Sequence, residues 1–172
     1  RMDVREDEYI EMIRLKTSVL LACALKIGAV LGGASESDAD SLYRFGEKIG
    51  LAFQLQDDFL DVYGDTKVFG KAIGGDIVSN KKTYMLINAF LRADEAQREE
   101  LTRWVEARDF DEQEKIAAVT DLYNRIGIDR LAEQKINQYF EEGLACLKAV
   151  GVDEERKQCL TDYVYKLMKR KY

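Results

Sequence analysis

The sequence predicts an all-α fold, and three observations carry that reading. The 172 residues contain no proline, where an average chain of that length holds about eight or nine. Proline breaks helix interiors and otherwise collects in loops and edge strands, so a chain without it is mostly helix. Apolar residues recur at helical spacing through most of the chain. Glycines and aspartates, the usual stops and starts of helices, punctuate the periodic stretches.

The elements follow in order. A first helix is predicted from about Glu6 to Leu31, closed by Gly32-Gly33. Ser35 with Asp38 three residues later forms a capping arrangement, and a long helix then runs from Ala39 to about Tyr63. Residues 64–82 carry Gly64, Gly70, Gly74 and Gly75 among polar residues and read as an ordered loop, of a length that is usually functional. Helices are expected at Thr83–Leu91, Ala96–Ala107, Asp111–Ile126, Asp129–Val150 and Asp153–Lys169. Asp94, Asp111, Asp129 and Asp153 serve as caps, and Gly127 and Gly151 as breaks. No repeat, linker or low-complexity tract divides the chain, which reads as one helical domain or the larger part of one.

Composition excludes several functions. Hydrophobic residues at 47% and charged residues at 34% make a globular chain able to bury a core. The absence of histidine removes Ser-His-Asp and Cys-His nucleophile systems, HExxH zinc sites and imidazole acid–base chemistry. Catalysis here must use carboxylates, lysines, backbone groups or metal ions held by oxygen. A formal charge of −6 argues against nucleic acid, whose phosphates need a basic face. Cys23, Cys146 and Cys159 are scattered and odd in number, as expected of reduced, packed thiols in the cytoplasm. The longest apolar stretch, Val19 to Leu25, is far short of the ~20 residues that span a bilayer, and no signal-peptide core is present. The chain opens Arg1-Met2-Asp3, without an initiator methionine, and is expected to be a piece of a longer protein.

The most informative segment is Gly50 to Gly64. On a helix, Gln54, Asp57, Asp58 and Asp61 fall at i, i+3, i+4 and i+7 and share a face. Phe53, Leu55, Phe59, Leu60 and Val62 flank that face, so the helix reads as buried nearly all round with a narrow carboxylate stripe. Buried like charges are costly unless a metal neutralises them. Carboxylate oxygens suit Mg2+, which keeps several waters and bridges to substrate phosphates. The plainer alternative is a helix end whose aspartates face water near Gly64. Gly46 and Gly50 continue the stripe backwards, through close helix approach or to leave room for a ligand.

Lys71 lies in Gly70-Lys71-Ala72-Ile73-Gly74-Gly75-Asp76, which is not a Walker A loop but offers N–H groups and an ammonium to a phosphate. Asn80-Lys81-Lys82-Thr83 opens a helix, and Lys16-Thr17 precedes the most apolar run of the first helix. Each lysine alone reads as a surface charge. Beside a magnesium stripe, they suggest diphosphate binding.

Phe53-Gln54-Leu55-Gln56-Asp57-Asp58-Phe59-Leu60-Asp61 resembles the second aspartate-rich motif of the trans-isoprenyl diphosphate synthases, the farnesyl and geranylgeranyl diphosphate synthase family. Gly70-Lys71, Gly74-Gly75-Asp76-Ile77 and Asn80-Lys81 extend the match, as do Lys16-Thr17 upstream and the basic end Tyr165 to Lys171. The ordered series covers essentially the whole chain. It implies an isoprenoid-synthase-type helical bundle, of which residues 1–172 are the C-terminal portion. The family's first aspartate-rich motif would precede Arg1; Asp38-Ala39-Asp40 and Asp109-Phe110-Asp111 lack its spacing and flanks.

The resemblance also implies the chemistry. Isopentenyl diphosphate is condensed with an allylic diphosphate, ionised with the help of Mg2+. Asp57, Asp58 and Asp61 would hold the metal, and Lys16, Lys71 and Lys81 the allylic diphosphate. Thr17 and Gln54 would lie beside the reacting carbons, and with Lys16 and Lys71 they make up the expected catalytic set. A cytoplasmic homodimer with no nucleic-acid partner and no transmembrane segment is expected. Two other readings stay open. A class I terpene cyclase usually mixes Asn, Ser or Thr with Glu in its second metal motif. A non-catalytic partner subunit has no need of a costly carboxylate stripe.

Overall fold

The computed structural model describes residues 4–64 and 73–169, and every regular element among them is helical. The expected first helix is three consecutive pieces: α1 (Glu6–Ile13), a π-helical turn (Arg14–Ser18) and α2 (Val19–Leu31). In the π turn the Val19 amide donates to Arg14 O, one residue further back than in an α-helix. Ser35 Oγ accepts the Asp38 amide at 3.1 Å, as the capping pattern implies. The long helix, α3 (Glu36–Tyr63), starts directly after that cap and not at Ala39, because a capping side chain satisfies the first turn's N–H groups and lets the helix begin beside it.

Within the expected loop, residues 75–78 form a short helix, α4 (Gly75–Val78), entered through Gly74 at φ 89°. Thr83 caps α5 (Tyr84–Arg92) by accepting from Leu86 N. Asp94 and Gln97 make a reciprocal capping box on α6 (Glu95–Glu106). Asp111 caps α7 (Glu112–Ile126), which ends on left-handed Gly127 at φ 83°. Asp129 does not cap the next helix. With Gly127 alone reversing the chain, α8 (Ile128–Lys148) starts one residue earlier and places Asp129 inside its first turn. The last helix is α9 (Glu154–Met168); Asp153 occupies its N-cap position without a side-chain hydrogen bond.

The described residues group into two compact units, one drawn from 1–9 and 57–133 and the other from 10–56 and 134–171. Leu60, Met85, Leu101, Val119 and Leu122 are core residues of the first. Ala22, Phe45, Ala52, Phe140 and Val164 are core residues of the second. In the second unit, the π turn and α2 both approach α3 closely. A Cβ on Gly50 would stand 2.8 Å from Ser18 Cα, and one on Gly46 would stand 2.9 Å from Ala22 Cα. Close helix contact, and not ligand space, is what these two glycines serve here. Among the described residues, no helix is long and apolar enough to cross a membrane.

Candidate carboxylate site

The second half of α3 is buried on every side: no residue from 45 to 64 is exposed. Its aspartates do not behave alike. Asp58 is 3% exposed and has both oxygens engaged. Oδ2 accepts from the Tyr9 hydroxyl of α1, and Oδ1 accepts from Lys81 Nζ at 2.9 Å. The same ammonium donates to Asp76 Oδ2 at 2.8 Å. Asp61 is tied to α4, its Oδ2 accepting the Asp76 amide at 2.8 Å and its carbonyl the Gly74 amide at 2.6 Å. Asp57 is half-buried.

Burial sets the electrostatics. It raises the carboxyl pKa of Asp58 above the ordinary value, against the opposing hydrogen bonds from Tyr9 and Lys81. Asp61 is raised for the same reason, with the Asp76 amide opposing. Burial and then the Asp58 carboxylate push the Tyr9 phenol well up, so it stays a proton donor at neutral pH. For Lys81, burial works downwards, but the bonds to Asp76 and Asp58 outweigh it and the ammonium is held above its ordinary value.

Lys81 thus bridges two carboxylates, Asp58 and Asp76, while Asp61 is tied to the Asp76 amide, and Asp57 adds a fourth carboxylate one residue before Asp58. Such a net negative cluster attracts a divalent cation and repels a bare anion. Among the described residues, no three carboxylates or thiols stand close enough together to hold a metal ion by themselves. The donor set of hard oxygens fits Mg2+ in the manner that ion prefers, with one or two carboxylates and the rest from water and substrate phosphate.

In the other unit, the π turn carries Lys16 and Thr17. Thr17 Oγ1 donates to Gln54 Oε1 at 3.3 Å, so the structure joins these two predicted residues, whereas Lys16 is exposed. A π turn inside an α-helix is uncommon and often marks a functional position. Lys71 lies outside the described residues. The sequence reading missed Tyr9, whose signal was slight: an aromatic residue in an otherwise acidic first turn. It also missed Asp76 as a partner, although that residue sits in the quoted glycine motif. A cavity of about 680 Å³ in the first of the two units is lined by Leu86, Ile87, Phe90, Lys82 and Arg98, and by none of the predicted site residues.

Comparison with known proteins gives the family. The sequence profile of polyprenyl synthetases matches residues 1–123. The chain is 41% identical over 132 residues to the short chain isoprenyl diphosphate synthase of Methanothermobacter thermautotrophicus, covering 77% of this chain and 40% of that protein. It superposes on a crystal structure of geranylgeranyl pyrophosphate synthase with TM-score 0.90 and 38% identity, over 100% of this chain and 54% of the other. The geranylgeranyl pyrophosphate synthase of Corynebacterium glutamicum, crystallised with isoprenyl diphosphate and magnesium, gives TM-score 0.84 and 32% identity over 96% and 47% of the two chains. The chain therefore spans about half the length of these relatives or less. The isoprenoid-synthase all-α fold and the profile match together mean that the chain belongs to the polyprenyl synthetase family.

Proposed function

We propose that this chain is the C-terminal portion of a trans-isoprenyl diphosphate synthase, which joins isopentenyl diphosphate to an allylic diphosphate. The observation that carries the reading is the carboxylate cluster at the end of α3, where Asp58 is pinned by Tyr9 and Lys81. Pinning Asp58 from both sides, with Asp61 tied to the Asp76 amide, fixes the helix end, where Asp57 and Asp61 are the proposed metal ligands. Those two residues would hold Mg2+, which would supply positive charge to the diphosphate leaving group. Asp58 would add its charge to the same site.

The chain's own residues perform the rest. An ammonium has three N–H donors; two from Lys81 go to Asp58 and Asp76, and the third serves a phosphate oxygen. Lys16 and Lys71 are the other two proposed ligands of the allylic diphosphate. Thr17 and Gln54, hydrogen-bonded to each other, are the proposed dipoles that stabilise the developing positive charge. The electron pair of the broken C–O bond leaves with diphosphate, the isopentenyl double bond forms the new C–C bond, and the departing proton goes to the released diphosphate. No imidazole is needed, which fits a chain without histidine.

The protein works in the cytoplasm as a homodimer. Leu20, Ile27 and Leu31 of α2 are 78%, 59% and 83% exposed, and an apolar surface of that kind is normally covered. The test is incorporation of labelled isopentenyl diphosphate into a longer prenyl diphosphate by the full-length protein. Product is expected with Mg2+ and none after chelation. Failure to extend any allylic diphosphate overturns the reading.

A further inference from the structure

Lys115 of α7 is 0% exposed, and among the described residues no carboxylate pairs with it. Its ammonium donates instead to Asn80 Oδ1 at 2.7 Å and lies 3.4 Å from Val78 O. The Phe110 ring centroid is 4.2 Å away. Burial, and then the nearby Lys82 ammonium, lower its pKa. A buried ammonium without a carboxylate is costly, and an apolar side chain would fill the same space without that cost.

What Lys115 holds is unusual. Asn80 has φ 51°, the one non-glycine residue at positive φ among the described residues. Non-glycine residues enter that region at a cost, and Asn does so when its side chain is bonded. Here the Asn80 side chain is gripped at both ends: Nδ2 donates to Val105 O at 3.0 Å, while Oδ1 accepts from Lys115. Directly after this turn comes Lys81, whose amide donates to Asp76 O at 2.9 Å and whose ammonium meets Asp58 and Asp76.

We infer that Lys115, acting through Asn80, is a positioning residue for Lys81: it fixes the turn that delivers the Lys81 ammonium to the carboxylate cluster. The inference rests on Lys81 as a diphosphate ligand. Lys115 is outside the aspartate-rich stripe and touches none of its side chains, so its influence on substrate passes through residues 80 and 81.

The experiment compares Lys115→Met, Lys81→Ala and the double variant in the full-length protein. It reads the Kd for inorganic diphosphate with Mg2+, and KM and kcat for the allylic diphosphate. Lys115→Met is expected to weaken diphosphate binding and raise KM by about tenfold with kcat little changed, a coupling usual for residues of one network. In the Lys81→Ala background, the same substitution is expected to change Kd by less than about twofold. An equal effect in both backgrounds, or no effect in the wild-type one, overturns the inference and assigns Lys115 to packing alone. If Lys81→Ala itself leaves diphosphate affinity unchanged, the reading of Lys81 as a ligand falls, and the inference with it. Should Lys115→Met fail to fold, Asn80→Gly replaces it: glycine keeps the positive φ and deletes both side-chain bonds. The same loss of coupling in the Lys81→Ala background is then expected, and its absence is equally decisive.

Discussion

Replacing Lys81 by Met, which keeps the length of the stem, should destabilise the protein in a way that depends on pH. The side chain is 45% exposed, while its partner Asp58 is 3% exposed. An ion pair fully in solvent contributes about 0–1 kcal/mol, and removing one member of a fully buried pair costs about 3–5 kcal/mol. A half-exposed lysine on a buried aspartate falls between, at about 2 kcal/mol near neutral pH. For a chain of this size that is a fall in Tm of roughly 4–8 °C. Burial already holds the Asp58 pKa above its ordinary 3.8, so in the native protein this group stabilises most below that value and loses its contribution as pH rises through the folded pKa. Without Lys81 the folded pKa rises further, and the penalty for ionising Asp58 persists to higher pH. The difference between wild type and variant should be near zero below pH ~3.8, grow as pH rises, and level off once Asp58 is ionised in both. Urea unfolding from pH 3.5 to 8 measures it. A difference that is flat with pH, or absent at neutrality, refutes the coupling between Lys81 and buried Asp58.

Two further outcomes follow from the packing and the exposed surface. Gly50→Ala gains about 0.5–1 kcal/mol of helix propensity, but its Cβ would meet the Ser18 backbone at 2.8 Å, and such overpacking costs about 1–3 kcal/mol. A net loss of stability is expected in thermal unfolding, and a gain would show that the π turn and α3 are not in close contact. Leu20→Lys places a charge on a side chain that is 78% exposed, so a monomer should fold unchanged by circular dichroism. Sedimentation should show the wild type as a dimer and the variant as a monomer; a monomeric wild type contradicts the homodimer.

Local signals in the sequence were reliable where the chain satisfies itself locally. Ser35, Thr83, Asp94 and Asp111 cap helices through side-chain bonds to an amide three residues on, and Gly127 ends α7 in the left-handed region. The burial of the second half of α3 was legible because apolar residues flank its stripe on both sides. The π turn at Arg14–Ser18 was not, since one shifted hydrogen bond hardly disturbs a 3.6-residue period. Asp129 looked like a cap by type, but its place in the first turn of α8 depends on how sharply Gly127 reverses the chain. At the candidate site, the grouping of carboxylates was visible and their division of labour was not. Tyr9 meets Asp58 across 49 positions of sequence, a contact no local pattern encodes. Lys115 did leave a trace. It occupies a core register of α7 with Val119 and Leu122, where a lysine must have a partner or a cost.

The most direct test of the account is a calorimetric titration of Mg2+ into the full-length protein, with and without inorganic diphosphate, for the wild type and Asp57→Ala. One or two carboxylates do not make a complete magnesium cage, so the wild type should bind Mg2+ weakly alone and much more tightly with diphosphate present. Asp57→Ala should stay folded, lose that diphosphate-dependent binding, and lose prenyl transfer with it. If Asp57→Ala binds Mg2+ and diphosphate together as the wild type does, the α3 carboxylates are not the metal site and the central claim is wrong.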